Sequence, residues 1–316
     1  MSPPRSAFGA PPQGGAASGP AEPDPRRLLG AARGWAVAAL MVNAFTWGVS
    51  WWPLRQLQDA GLHPLWATVL IYGLAVALIV ALRPGAVAHL LKTPVLWVLV
   101  LAAGTTNATF NWAVTIGDVV RVVLLFYLMP LWAVLLARLL LNERLTPMAM
   151  ARVAMALAGA VVVLWPEDGG LPVPQSLPDW LGVIGGFSFA LNNVMLRREA
   201  HQPEAARALA MFFGGVRVAG VLAAALSAQG TVPLPPAPAW GWVAGALALA
   251  VFFLGGNLAL QYGASRLPAN VTAVVMLTEV LFASVSAVLL GAGQITPALA
   301  LGGALILGAA LLSARH

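Results

Sequence analysis

The chain has 316 residues, of which 60% are hydrophobic and only 9% are charged, against roughly 25% charged residues in an ordinary soluble domain. These charges are too few to cover two soluble domains, the number that the length alone suggests, so the composition indicates an integral membrane protein. The net charge is +6, but no more than two basic residues follow one another in the chain. This argues against nucleic-acid binding. The absence of cysteine excludes disulfides, thiol catalysis and cysteine-ligated metals.

The chain begins with a polar segment and continues as a series of apolar runs. Residues 1–33 are rich in Pro, Gly, Ala and Ser and predict a disordered cytoplasmic tail. Ten apolar runs follow, each close to the 20 residues with which a helix crosses a bilayer. They cover residues 35–54, 63–82, 94–115, 120–141, 147–165, 179–197, 206–228, 239–262, 268–291 and 296–313. Because the runs are continuous and do not alternate, they predict helices and not barrel strands.

The distribution of basic residues predicts the orientation in the membrane. With the N-terminus in the cytoplasm, 14 of the 17 Lys and Arg residues fall in cytoplasmic segments or helix ends. Only Arg55 and Arg121 fall outside, and Arg217 lies within the seventh run. We therefore predict a multi-pass protein of the cell inner membrane, with both termini cytoplasmic.

The sequence contains an internal repeat. Residues 45–55 align with 187–197 at a shift of 142, and residues 121–147 align with 270–297 at a shift of 149, with one residue inserted. The predicted repeats span residues 34–166, with helices 1–5, and 178–315, with helices 6–10. Since five is an odd number, the second repeat must enter the membrane from the opposite side, which is the inverted-repeat plan of many secondary transporters.

Several short motifs carry a resemblance to a known family. They are Trp47-Gly48, Leu128-Met129-Pro130, the junction Asn142-Glu143-Arg144-Leu145-Thr146-Pro147, Leu277-Thr278-Glu279 and the junction Gly291-Ala292-Gly293-Gln294-Ile295-Thr296-Pro297. On these motifs, residues 36–315 resemble the drug/metabolite transporter superfamily, in its ten-helix EamA-type branch. The resemblance implies an all-α integral membrane fold with ten transmembrane helices in two inverted five-helix repeats. Asn142 replaces the family's usual Gly, and the second junction lacks an acidic residue.

Two charged side chains lie at membrane depth, where each costs on the order of 2.5–3.5 kcal/mol on the insertion scale. Glu279 is central in the ninth run and Arg217 in the seventh. Glu279 is either a counter-ion or proton carrier, or a structural carboxyl that bonds neighbouring helices. Arg217 cannot lose its charge, so we expect it to pair with Glu279 in at least one conformation; the alternative is that it reaches an interface.

Amides form a second polar pattern. Asn107 and Asn111 are four residues apart on helix 3, and Asn257 and Gln261 repeat that spacing on helix 8, so each pair shares one helix face. These amides either line a central cavity or hold helices together. The candidate substrate-binding residues are Asn43, Trp47, Asn107, Asn111, Tyr127, Arg217, Asn257, Gln261 and Glu279. At the outer loop between helices 3 and 4, Asp118 and Arg121 form either a gate or a solvated pair.

These features favour a transporter over an enzyme. The four His residues lie in loops or at the terminus, and neither a nucleophile motif nor a phosphate-binding loop occurs. We predict a secondary transporter that moves a small organic metabolite by alternating access. The resemblance points to export of an amino acid or related amphiphile. No cofactor is predicted, and proton coupling and a homodimer stay open. The alternative is an intramembrane enzyme, or a membrane sensor or scaffold.

Overall fold

The structure is a computed structural model that describes residues 25–142, 146–165, 173–264, 266, 275–276 and 278–313. Within these ranges the chain forms thirteen helices and no strand. The helices are α1 (Pro25–Val49), α2 (Trp51–Asp59), α3 (Pro64–Leu82), α4 (Gly85–Lys92), α5 (Leu96–Ile116), α6 (Val119–Phe126), α7 (Met129–Leu140), α8 (Pro147–Leu164), α9 (Leu177–Arg198), α10 (Glu204–Ala228), α11 (Trp240–Ala264), α12 (Thr278–Leu289) and α13 (Pro297–Ser313). Residues 275 and 276 are also helical. The predicted all-α fold class is confirmed.

Each of the ten predicted apolar runs contains at least one of these helices. The first run holds α1 and α2, and the fourth holds α6 and α7. Within the described residues, four stretches are long and apolar enough to cross a bilayer: α3, Val119–Leu140, α10 and Trp240–Leu260. The pair α4 and α5, bent by 104°, adds a fifth if it counts as one span. The protein is therefore multi-pass, and ten crossings stay a prediction.

The first helix includes residues that the sequence assigned to the tail. Residues 1–33 predict a disordered segment, whereas residues 25–33 belong to α1. The stretch from Arg26 to Ala32 is rich in Arg, Leu and Ala, which favour helix, and it runs directly into the first apolar run. Helix α1 thus starts before the predicted end of the tail. The rest of the predicted tail, residues 1–24, lies outside the described residues.

The packing of the helices follows the repeat. In the first half, α1 packs against α11 and α12; correspondingly, α9 of the second half packs against α5, α6 and α7. Two further contacts join equivalent helices of the two halves, α3 with α10 and α8 with α13, and α6 also packs against α12. Each half thus completes its packing against the other half, as expected for interlocked inverted repeats.

Two tight turns lie at equivalent positions of the two repeats. Asn142, after α7, has φ 54°, and Gly291, after α12, has φ 69°. The two residues are 149 positions apart, which is the shift between the repeats. Left-handed backbone favours Gly, and Asn is among the few other residues that adopt it readily. Asn142 therefore preserves the turn although it departs from the family's usual Gly.

Helices α5 and α10 cross with their backbones in direct contact. A Cβ atom on Gly214 would overlap the carbonyl oxygen of Val100, and one on Gly104 would overlap the carbonyl oxygen of Gly214. Close approach through small residues is how membrane helices gain packing energy, since lipid offers no hydrophobic driving force for their association. This crossing fixes the position of α5, the third predicted span, which carries two of the candidate site residues.

We predict that Gly214→Ala lowers thermal stability. The added methyl group meets a backbone carbonyl, which cannot move aside without shifting a helix, and overpacking of this kind costs about 1–3 kcal/mol. Thermal unfolding of the detergent-purified variant measures the effect. Gly73→Ala on α3 is the matched control, because a Cβ atom there meets nothing within 4 Å. Equal midpoints for the two variants would contradict the close crossing.

Candidate functional site

A hydrogen bond between the two repeats lies at the depth predicted for the site. The hydroxyl group of Tyr127, between α6 and α7, donates to Oε2 of Glu279 on α12 at 3.1 Å. Both side chains are buried. The same hydroxyl lies 3.4 Å from the carbonyl oxygen of Met276, the residue that the 149-residue shift makes equivalent to Tyr127. A residue that touches its own equivalent lies near the axis that relates the halves, so Tyr127 and Glu279 are central.

The break between α6 and α7, in the fourth predicted span, places Tyr127 at this central position. Pro130 lies in the first turn of α7 and has no N–H with which to bond the carbonyl group of Phe126, four residues earlier. Helix α6 accordingly ends at Phe126. Interrupted helices near the midplane are a recurring feature of transporter binding sites.

Trp47 and Gly48 bring α1 against the second repeat. The indole ring of Trp47 stacks on the ring of Phe253 of α11, with centroids 4.7 Å apart and planes 19° apart. A Cβ atom on Gly48 would lie 2.7 Å from Cβ of Phe282 and 2.8 Å from the carbonyl oxygen of Glu279. The glycine therefore permits close packing of α1 on α12, and the adjacent tryptophan contributes an aromatic wall.

Two buried amides retain an unpaired oxygen. Asn43 donates through Nδ2 to the carbonyl oxygen of Gly256 at 2.8 Å, and Asn111 donates through Nδ2 to Oγ1 of Thr68 at 3.0 Å. Both asparagines are fully buried. Among the described residues, neither Oδ1 atom has a hydrogen-bond partner. Buried acceptors are normally satisfied, so these two oxygens are available to an N–H or O–H group of a ligand or to water.

The other amides are occupied by neighbouring protein groups. Oδ1 of Asn107 accepts from the hydroxyl group of Tyr72 at 2.6 Å, and its Nδ2 donates to the carbonyl oxygen of Ala103 at 2.8 Å. Asn257 donates to the carbonyl oxygen of Phe253 in its own helix at 3.0 Å. The side chain of Gln261 lies outside the described residues. Asn107 and Asn111 of α5 thus bond side chains of α3, whereas Asn257 bonds the backbone of its own helix.

Arg217 and Glu279 do not pair in this conformation. Arg217 is exposed on α10, which packs against α3, α4 and α5. Glu279 is buried and takes its hydrogen bond from Tyr127. Among the described residues, the ion pairs do not include Arg217. The expected attraction was inferred from charge and depth alone, and the packing of α10 presents Arg217 on an exposed face of the bundle.

At the start of α6, Asp118 and Arg121 interact differently from the pairing that the sequence predicts. Asp118 caps α6 by accepting the backbone N–H of Arg121 at 2.8 Å. The guanidinium group of Arg121 pairs instead with Asp179 of α9. A cavity of about 800 Å³ opens beside this pair. It is lined by the ends of α2 and α5, the start of α6 and the turn before α13, and not by Glu279.

Three partners of the candidate residues were missed by the sequence reasoning. Thr68 and Tyr72 bond Asn111 and Asn107, and Phe253 stacks on Trp47. One available signal was the four-residue spacing of Thr68 and Tyr72 on helix 2, which matches that of the two asparagines on helix 3. No comparable signal marks Phe253, because aromatic residues fill space throughout such helices.

Apolar spans, two interlocked repeats and polar groups that meet between them define a helical membrane transporter. A family model described as the EamA-like transporter family matches residues 34–165 and again residues 176–315. The chain belongs to this family, and the resemblance inferred from its motifs is confirmed.

Two individual proteins are similar to the chain. An uncharacterised transporter of Pseudomonas aeruginosa is 30% identical over 128 residues, which cover 39% of this chain and 40% of that protein. The match thus spans about two fifths of the relative's length. A crystal structure of a protein superposes with a TM-score of 0.53 and 22% identity, covering 88% of this chain and 96% of that one. That likeness supports the fold.

We predict that Tyr72→Phe destabilises the protein more than the double variant Tyr72→Phe with Asn107→Leu. The single change leaves Oδ1 of Asn107 without its donor, and an unpaired buried acceptor costs about 1–3 kcal/mol. The double change removes donor and acceptor together. Thermal unfolding of wild type, both single variants and the double variant measures the coupling. Strictly additive effects would show that this hydrogen bond adds nothing to stability.

Proposed function

We propose that this membrane transporter is a secondary transporter of the cytoplasmic membrane that works by alternating access. The two halves, helices 1–5 and 6–10, rock around a site near the midplane and expose it to one side at a time. Its cargo is a small organic metabolite, an amino acid or related amphiphile, which moves outward. Both termini lie in the cytoplasm; an active alkaline phosphatase fused to the C-terminus would contradict this orientation.

The observation that carries the proposal is the hydrogen bond from Tyr127 to Glu279. It joins the two halves close to the axis that relates them. Alternating access requires a site whose groups come from both halves, so that relative motion changes the access and keeps the binding chemistry. Asn43 of the first half, bonded to Gly256 of the second, supports the same placement.

The chemistry of the site favours a cargo that carries hydrogen-bond donors and an apolar body. The unpaired oxygens of Asn43 and Asn111 accept and cannot donate, and Glu279 adds a carboxyl group. The stacked rings of Trp47 and Phe253 provide a flat apolar wall. An ammonium group with a hydrocarbon or aromatic substituent satisfies both requirements, which is why we propose an amino acid or related amphiphile.

We expect purified protein in liposomes to catalyse counterflow. Vesicles loaded with an unlabelled amino acid should accumulate the labelled compound transiently, because exchange through an alternating site needs no net driving force. A panel of apolar, aromatic and polar amino acids, each with and without an imposed proton gradient, identifies the cargo. Empty vesicles provide the background. Failure of every compound to exchange would shift support to an intramembrane enzyme, a sensor or a scaffold.

We predict that Glu279→Gln abolishes any dependence of uptake on the proton gradient. Glutamine keeps the shape and one acceptor oxygen of the side chain but cannot carry a proton between the two sides. Glu204→Gln is the matched control, because Glu204 is an exposed acid at the start of α10. Gradient dependence that survives Glu279→Gln would remove Glu279 as a coupling group and leave it as a helix-bonding carboxyl.

A further inference from the structure

The outer end of the bundle holds an ionic contact between the two halves. The outer end, in the proposed orientation, is where α2 ends and α6 begins. The cavity of about 800 Å³ at that end has polar walls that include Arg55, Asp59, Asp118, Arg121 and Gln294. This volume is of the size that admits a small molecule. Contacts between the two halves lie beside the cavity, and Glu279 is not among the residues that line it.

The strongest of these contacts is an ion pair joined by two hydrogen bonds. Nε of Arg121 lies 2.7 Å from Oδ1 of Asp179, and Nη2 lies 3.1 Å from Oδ2. The remaining nitrogen, Nη1, donates to the carbonyl oxygen of Val163 at 2.7 Å. A two-point pairing of this kind is stronger and more directional than a single charged hydrogen bond. It fixes α6 of the first half to α9 of the second.

Both partners are held in place by their own helices. Asp179 forms a capping box with Ser176 at the start of α9 and accepts the backbone N–H of Gln175 at 3.3 Å. Its side chain is only 4% exposed, against 31% for Arg121. Arg121 lies in the first turn of α6 and lines the cavity. The carboxylate is therefore fixed, and the cation is the partner that water in the cavity reaches.

Two weaker contacts cross between the halves nearby. Oδ2 of Asp118 accepts the backbone N–H of Gln294 at 3.2 Å. Nε1 of Trp51, in α2, donates to Oγ of Ser286, in α12, at 2.9 Å. Ser286 is seven residues beyond Glu279 on α12, or about 10 Å along the helix axis. This layer therefore lies between the central carboxyl group and the outer end.

The sequence does not repeat this ion pair at the equivalent positions of the other repeat. At the shifts of 149 and 142 that align the two repeats, Arg121 corresponds to Asn270 and Asp179 to Val37. Neither residue type at those positions carries a charge. Near Val37, α1 packs through Leu40 against Leu260 and the apolar residues that precede α12. Among the described residues, this contact near Val37 is apolar, whereas the outer contact between α6 and α9 is ionic.

We propose that Arg121 and Asp179 form an outer latch that holds the transporter closed toward the outside and sets the balance between its two access states. The inference rests on the proposed alternating access of the two halves. Opening toward the outside must separate α6 from α9 and break the pair, while opening toward the cytoplasm leaves it intact. The latch thus favours the access state that faces the cytoplasm. When the pair breaks, water in the adjacent cavity solvates Arg121.

The experiment measures the distance across the outer end by electron paramagnetic resonance. The chain contains no cysteine, so spin labels attach only at introduced sites. Gln56→Cys in α2 and Ile295→Cys before α13 place one label on each half, at exposed positions beside the cavity. We expect Asp179→Asn, in the labelled protein reconstituted in lipid nanodiscs, to shift the distance distribution toward longer values. Asparagine keeps a side-chain oxygen for the helix cap, so folding is preserved.

Two further variants make the result specific. Arg121→Gln should give the same shift, and combining it with Asp179→Asn should add nothing, because either change alone opens the latch. Asp59→Asn is the matched control: it removes one negative charge from the same cavity without touching the pair. An unchanged distribution in Asp179→Asn, or an equal shift in Asp59→Asn, overturns the latch. A shift in Asp179→Asn without counterflow of any compound keeps the latch and counts against the proposed function.

Discussion

The hydrocarbon of a bilayer offers no hydrogen bonds, so every polar group placed within it must find its partner in the protein. In this chain, that requirement connects the two halves. Tyr127 bonds Glu279, and Asn43 bonds the backbone of Gly256, each across the repeat boundary. Relative motion of the halves must therefore exchange these two contacts.

The strength of these contacts changes with depth. At the centre, each link is a single hydrogen bond, and the oxygens of Asn43 and Asn111 stay unpaired. Such links are worth about 0.6 kcal/mol each in membrane proteins, so a bound cargo can replace them. At the outer end, Arg121 donates two hydrogen bonds to Asp179 and one to a backbone carbonyl. Single hydrogen bonds thus lie where binding is proposed, and a two-point ion pair lies where the latch is proposed.

The sequence predicted the helices and the repeat, because hydrophobicity and turn residues act locally along the chain. It also placed Tyr127 and Glu279 among the candidate residues. It did not predict that they contact each other, since charge and depth alone pointed from Glu279 to Arg217. Which faces of two helices meet depends on how they cross, and that in turn depends on details such as Gly48 or Gly214. The partner of Arg121 was missed for the same reason: Asp179 lies 58 residues away.

The two repeats differ at one aligned position, and this difference gives the proposed central site its chemistry. Pro130 in the first repeat corresponds to Glu279 in the second. The proline interrupts helix 4 and so places the hydroxyl group of Tyr127 on the axis; the equivalent glutamate provides the acceptor that this hydroxyl needs. Two carboxylates related by the axis would repel each other and could not both stay charged, and two prolines would leave no titratable group. The inverted repeat therefore supplies the frame, and its departure from symmetry at this position supplies the chemistry.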